Sequence, residues 1–224
     1  MNHNETAVVR SPEQVLAANK TIRNTYTLLS MTLIFSAVMA VISTGMNVSF
    51  MTGLIANIVA IALLWLVLPK TANSSTGIGV LFAITGLFGF GLGPLLAHYL
   101  HAFTNGGQLI ATAAGGTGVI FLGLSAYAMQ TRKDFSFMGG FLAAGLIVVL
   151  LAIIGNLFLQ MPALHLALNA AIIMLMAGFI LYETSQLIHD PHVNYIMMAA
   201  SMFLSILNLF TSLLHLLGAL SGDD

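Results

Sequence analysis

Residues 178–189 read GFILYETSQLIH, and they set a carboxylate, Glu183, straight after a run of apolar side chains. It is the only acid inside any long apolar stretch of the chain. A carboxylate placed there can relay a proton, help bind a cation, or tie neighbouring helices together by hydrogen bonds. Other polar residues in apolar stretches include Asn57, Thr85, His98, Asn156, His165, Asn169, Ser205, Asn208 and His215. For each Asn, Ser or Thr the plain reading is an interhelical hydrogen bond, worth roughly 0.6–2 kcal/mol. Glu183 has the same plain reading, with Ser205 or Asn208 as partners, or with Arg132 and Lys133 as the nearest cations. His98 and His101 share a helix face at i, i+3, but no third ligand accompanies them, so no metal site is assigned. HDPH at 189–192 reads as a turn around Pro191.

Catalytic sets are missing. The chain has no cysteine, hence no thiolate nucleophile and no Cys-based metal site. GLSAYA around Ser125 is not a nucleophile elbow. Asp134 and Asp190 both fall in connecting segments, so no pair of intramembrane aspartates exists for proteolysis. The chain therefore reads as a non-enzyme without a cofactor. Its net charge of −1 offers no basic patch for nucleic acid.

The elements that must position Glu183 follow from composition. Hydrophobic residues make up 58% of the 224 and charged residues 6%, with mean hydropathy +0.99. Soluble domains carry about 25% charged residues, so this surface must be solvated by lipid. Seven apolar runs are long enough to span: roughly Tyr26–Gly45, Val48–Leu68, Gly77–Leu100, Gln108–Met129, Phe135–Leu159, Ala163–Ile188 and Tyr195–Leu220. No alternating pattern supports a barrel, so the fold class is an all-α integral membrane bundle of seven helices, solvated by the lipid bilayer. Glycines mark packing sites: GFGLG at 89–93 places Gly89 and Gly93 on one face before Pro94, and Gly139-Gly140 open the fifth span. Pro94 is expected to kink the third span.

All six Lys and Arg residues (Arg10, Lys20, Arg23, Lys70, Arg132, Lys133) fall on one side of an alternating seven-span chain. The positive-inside rule makes that side cytoplasmic, with the N-terminus inside and the C-terminal SGDD outside. Residues 1–25 then form a cytoplasmic tail, 26–220 the membrane domain and 221–224 a short external tail. SPEQ at 11–14 reads as a helix start, with Ser11 capping and Pro12 in the first turn, and predicts a short interfacial helix before the first span.

Five segments occur in order: FGFGLGPLL at 88–96, AAGGTGVIF at 113–121, TRKDFSFMGGFL at 131–142, LYETSQLI at 181–188 and NLF at 208–210. With these the chain resembles the Bax inhibitor-1, or transmembrane Bax-inhibitor-motif, family over nearly its whole length beyond the tail. The TRKDFS loop (Arg132, Lys133, Asp134) before two glycines is the most specific piece. RNTYTLLS at 23–30, KTAN at 70–73 and LQMPALHLAL at 159–168 extend the likeness to the bacterial branch whose members modulate the membrane AAA protease FtsH. The resemblance implies a bundle with the last helix among the other six. It also implies two functions: restraint of FtsH in the bacterial inner membrane, by contact with the protease complex and its membrane regulators, or a pH-sensitive calcium leak. Leak-type members use two aspartates in the last two helices, one held by an arginine in the second. Those aspartates align with Glu183 and Ser205, and the second span contains no arginine. One carboxylate alone binds a divalent cation less well than a pair, which favours the modulator branch. A chaperone for other membrane proteins is a third reading of the same contact surface.

Overall fold

The computed structural model describes residues 12–190 and 192–222. Seven helices run through it: α1 Pro12–Gly45, α2 Phe50–Thr71, α3 Ser75–Ala102, α4 Gly106–Thr131, α5 Met138–Leu159, α6 Pro162–His189 and α7 Tyr195–Ser221. Each has the length and apolarity to cross a membrane. The seven-span expectation holds, with ends moved by a few residues. Residues 1–11 and 223–224, which include the proposed cap Ser11 and the final acids, lie outside the described residues, as does Pro191.

The lead-in helix and the first span are one element. No glycine or proline interrupts the sequence between Pro12 and Gly45, so nothing ends the helix before Gly45. The expected separate interfacial helix is the start of α1. At the other end of the second span, Pro69 does not stop α2 where expected. Leu63–Val67 widen into a π turn, and the Leu68 N–H reaches back to the Leu63 carbonyl. The wide turn gives the proline ring room, and helix continues through Lys70 to Thr71.

Connections close with local chemistry. Asn47, Arg132 and Gln160 adopt positive φ where α1, α4 and α5 end. Asn194 caps α7 by accepting from the Ile196 and Met197 N–H groups at 2.9 and 3.1 Å. Its amide also donates to the Ala72 carbonyl and the Asn73 side chain, at 2.9 and 2.8 Å, which pins the start of α7 to the α2–α3 turn.

Helix α7 packs against α1, α3, α4 and α6, as an element central to the bundle does. Its buried face includes Met202, Phe203, Leu209 and Leu214. Helix α2 lies on α3 and helix α5 on α6. Of α5, Leu142 and Val149 are buried, while Phe141, Val148 and Leu151 point outward. Such a surface suits lipid and would be a liability in water.

Candidate functional site

Three consecutive residues of α6 reach four neighbours: α7, α1, α4 and the 132–135 loop. Helical geometry turns each about 100° from the last, so a triplet fans out across the bundle. Glu183 faces α7 and is 3% exposed. The Ser205 hydroxyl lies 3.1 Å from each of its carboxyl oxygens, and the Ser201 hydroxyl donates to Oε1. Ser201 and Ser205 are four residues apart, hence on one face of α7. Thr184 meets the Tyr26 hydroxyl of α1 at 3.3 Å and the Ser125 hydroxyl of α4 at 3.4 Å. Ser185 accepts from the Phe135 N–H at 2.9 Å and stands 3.4 Å from the Lys133 carbonyl.

Glu183 and Ser205, distant in sequence, therefore meet as the sequence reading expects. Asn208 does not join them. Its amide donates to the Leu204 carbonyl at 2.8 Å, one turn back on its own helix; it continues the face of Ser201 and Ser205 but stands three residues further along α7 and is exposed. Ser201 takes the place assigned to Asn208. The i, i+4 pair Ser201–Ser205 opposite a lone acid was the available signal, and it was missed.

Arg132 and Lys133 do not serve Glu183 as cations either; among the described residues no basic side chain acts on it. The loop they occupy reaches α6 through its backbone. His189 Nε2 lies 3.1 Å from the Arg132 carbonyl, and Nδ1 lies 3.0 Å from the Ser185 carbonyl. Phe135 packs its ring on Tyr127, with centroids 6.3 Å apart. Asp134 accepts from the Ser136 N–H at 2.8 Å. Hydrogen bonds from Ser136, side chain and backbone, together with nearby His189, hold the Asp134 carboxyl below the usual carboxylate range.

At the other end of α7 the polar groups line open space. A cavity of about 720 Å³ is bordered by Asn47, Asn57, His98, Thr211 and His215 among apolar residues of α2 and α3. A second, of about 330 Å³, is bordered by Asn156, His165, Asn169, Asn208, Ser212 and His215. His215 borders both. Tyr99 holds its Nδ1 at 3.2 Å, and the His165 ring stands 5.6 Å away, centroid to centroid. His98 borders the first cavity and, like its sequence companion His101 at the end of α3, is exposed.

The glycines differ among themselves. A Cβ at Gly89 would collide with the Ser36 backbone, and one at Gly93 with Ser43, so both let α3 approach α1 closely. Pro94 sits within a continuous α3, its ring 2.8 Å from where a Cβ on Gly53 would lie, at the α2 contact. A Cβ at Gly139 would come within 3.0 Å of the Tyr182 ring. Gly140 is different: a Cβ there would meet nothing within 4 Å. It faces away from α6, one residue round the helix from Gly139, and makes no packing contact.

The family profile described as inhibitor of apoptosis-promoting Bax1 matches residues 18–222. An Escherichia coli K12 protein named modulator of FtsH protease YccA is 48% identical over 93% of this chain and 94% of its own. An uncharacterized membrane protein of Vibrio cholerae is 46% identical, covering 96% of both chains. An uncharacterized protein of Pseudomonas aeruginosa is 43% identical over 91% of this chain and 90% of its own. With seven membrane-length helices, α7 among four neighbours, and a match spanning all of them, the chain belongs to the Bax inhibitor-1 family.

Proposed function

We propose that this protein is a non-enzymatic modulator in the bacterial inner membrane that binds the FtsH-type AAA protease complex and restrains its proteolysis. The observation that carries the reading is the 48% identity, over nearly the full length, to the Escherichia coli protein named for modulation of FtsH. The mechanism we infer is slow competition. The N-terminal tail offers the protease a cytosolic end to grip, and the bundle behind it resists extraction. Resistance has a physical source in the close α1–α3 crossing at Gly89 and Gly93 and in the three-way tie at residues 183–185. The positive-inside distribution of the six basic residues supports a cytoplasmic tail.

The calcium-leak alternative is less well supported. Two serine hydroxyls take up the single carboxylate at Glu183, and a serine stands where a second acid would complete a divalent site.

Two experiments test the proposal. Tagged full-length protein, drawn from its own membranes in mild detergent, should bring the AAA protease and its membrane regulators with it. Deleting residues 2–11 should abolish restraint of a reporter substrate in reconstituted vesicles without lowering membrane assembly. Full restraint by the truncated protein would sink the tail mechanism, and a preparation free of the protease would sink the modulator reading.

A further inference from the structure

Helices α1 and α4 both pack on α3, α6 and α7, yet they do not form a packed pair with each other. Between them runs a slot of about 410 Å³. Its floor is one face of α7, where Phe203, Ile206 and Phe210 recur at i, i+3 and i+7. The residues that face across it are small: Ala37 and Ala40 on α1, Ala114 and Gly118 on α4. A Cβ at Gly118 would meet nothing within 4 Å, so the backbone there borders open space. The slot closes at Phe121, whose ring stands 6.0 Å from that of Tyr26 on α1, centroid to centroid. Among the described residues no charged side chain lines it. Of its two hydroxyls, Thr117 donates to the Ala113 carbonyl at 2.7 Å, and Ser36 lies against Gly89 of α3.

Water is a poor occupant, because an apolar cavity stays dry. Left empty, the slot would cost its lining the dispersion contacts of one side. A helix is too wide. The α1 wall runs from Leu33 to Val41, a rise of about 12 Å, so the mean cross-section is about 35 Å². A helix with its side chains is about 10–12 Å across, which takes about 80–110 Å². A hydrocarbon chain, one methylene wide, fits. Depth agrees with it as well. Val41 and Leu33 lie about 6 and 18 Å along the axis from Gly45, where α1 ends. The slot therefore begins just below one interface and reaches the middle of a bilayer whose hydrocarbon core is about 30 Å thick. One lipid tail covers the same depth.

We propose that the slot between α1 and α4 binds one acyl chain of a bilayer lipid, laid along α7 with its methyl end at Phe121. On the positive-inside orientation this lipid belongs to the external leaflet. The lining selects for hydrocarbon and offers nothing to a charged headgroup. A bound chain stands in for the missing α1–α4 contact and completes the packing around α7. Beyond Phe121, Tyr26 meets Thr184, so the chain ends one ring away from the tie at residues 183–185. The site stands independently of the protease reading.

The test uses full-length protein in vesicles of phosphatidylethanolamine and phosphatidylglycerol, doped with a phospholipid that carries a diazirine near the methyl end of one acyl chain. On illumination the label should reach Phe203 or Ile206 of α7, and also Val148, which points outward from α5. The double variant Ala114→Leu, Gly118→Leu fills the slot with side chains. It should cut labelling of α7 at least about fivefold, since the added leucines take the volume of the chain. Labelling of Val148 should not change, which also reports an intact bundle. No label on α7 in the unmodified protein, or undiminished α7 labelling in the filled variant, overturns the site. Gly118→Cys tests for a second copy, because the chain has no native cysteine. Oxidation should give no disulfide-linked dimer, and a dimer formed there would put a protein helix in the slot and overturn the lipid assignment.

Discussion

The two ends of α7 handle polar groups in opposite ways. Around Glu183 the polar side chains of the tie are directly bonded across helices, and all but the exposed Ser201 and half-buried Tyr26 are buried: the carboxyl to Ser201 and Ser205, Thr184 to Tyr26 and Ser125, Ser185 to the 132–135 loop. Around His215 the polar side chains border two cavities, and several bond only to their own helix, as Asn208 does to Leu204 and Asn169 to His165. The first end is held by its polar residues. The second has room for water beside them, since cavities of hundreds of cubic ångströms lined by several donors and acceptors exceed what one water needs. A polar residue in a membrane helix is thus glue or a solvated wall according to whether a partner stands opposite it, and residue type alone does not distinguish the two.

The largest effect should come from breaking the closed end. Glu183→Ala strands the buried Ser205 hydroxyl and removes the bonds that join α6 to α7. A loss of about 2–3 kcal/mol is expected, as for hydrogen bonds to a carboxylate. Glu183→Gln should recover roughly half of that, because its amide carbonyl still accepts from a serine. By contrast His215→Ala should cost under about 1 kcal/mol, since the space its ring vacates joins two cavities that it already borders. Denaturant unfolding of the three variants in one detergent decides the order. An equal cost for Glu183→Ala and His215→Ala would erase the contrast between the ends.

How much of this was legible in the sequence follows the same division. The seven spans could be read because length and apolarity are summed over about 20 residues, and one misplaced polar group does not alter the sum. The meeting of Glu183 with Ser205 was readable through the family resemblance and a single acid in an apolar run. Ser201 was readable in principle, as the i−4 companion of Ser205. Asn208 misled because it continues the face of Ser201 and Ser205 yet sits almost a turn further along α7, where its amide bonds its own helix. Gly140 misled because one residue turns about 100° round the helix, away from the contact that Gly139 makes. The cavities and the two carbonyl partners of His189 could not be read, because each depends on how three helices or a loop and a helix meet, which no local pattern encodes. The π turn before Pro69 likewise answers a steric demand that the sequence states only as a proline.

A smaller effect sharpens the comparison by asking where water goes. With no native cysteine, single replacements report access without background. Thr211→Cys, on the wall of both cavities, should react about tenfold faster with a small hydrophilic thiol reagent than Ser205→Cys does, because Ser205 is buried against Glu183. Similar rates at the two positions would mean that the closed end opens as readily as the other.

The smallest effect concerns Asp134. Its carboxyl is held below the usual range by Ser136 and His189, so its ionised form stabilises the folded loop. For a group depressed in this way the contribution is present above the unfolded-state value, and it fades as pH falls through the lower folded value. Asp134 is nearly fully accessible to solvent, so screening keeps the contribution small. Asp134→Asn should retain the turn, because the amide oxygen still accepts from the Ser136 N–H, yet lose the acid-side weakening of Ser136 amide protection seen in hydrogen exchange.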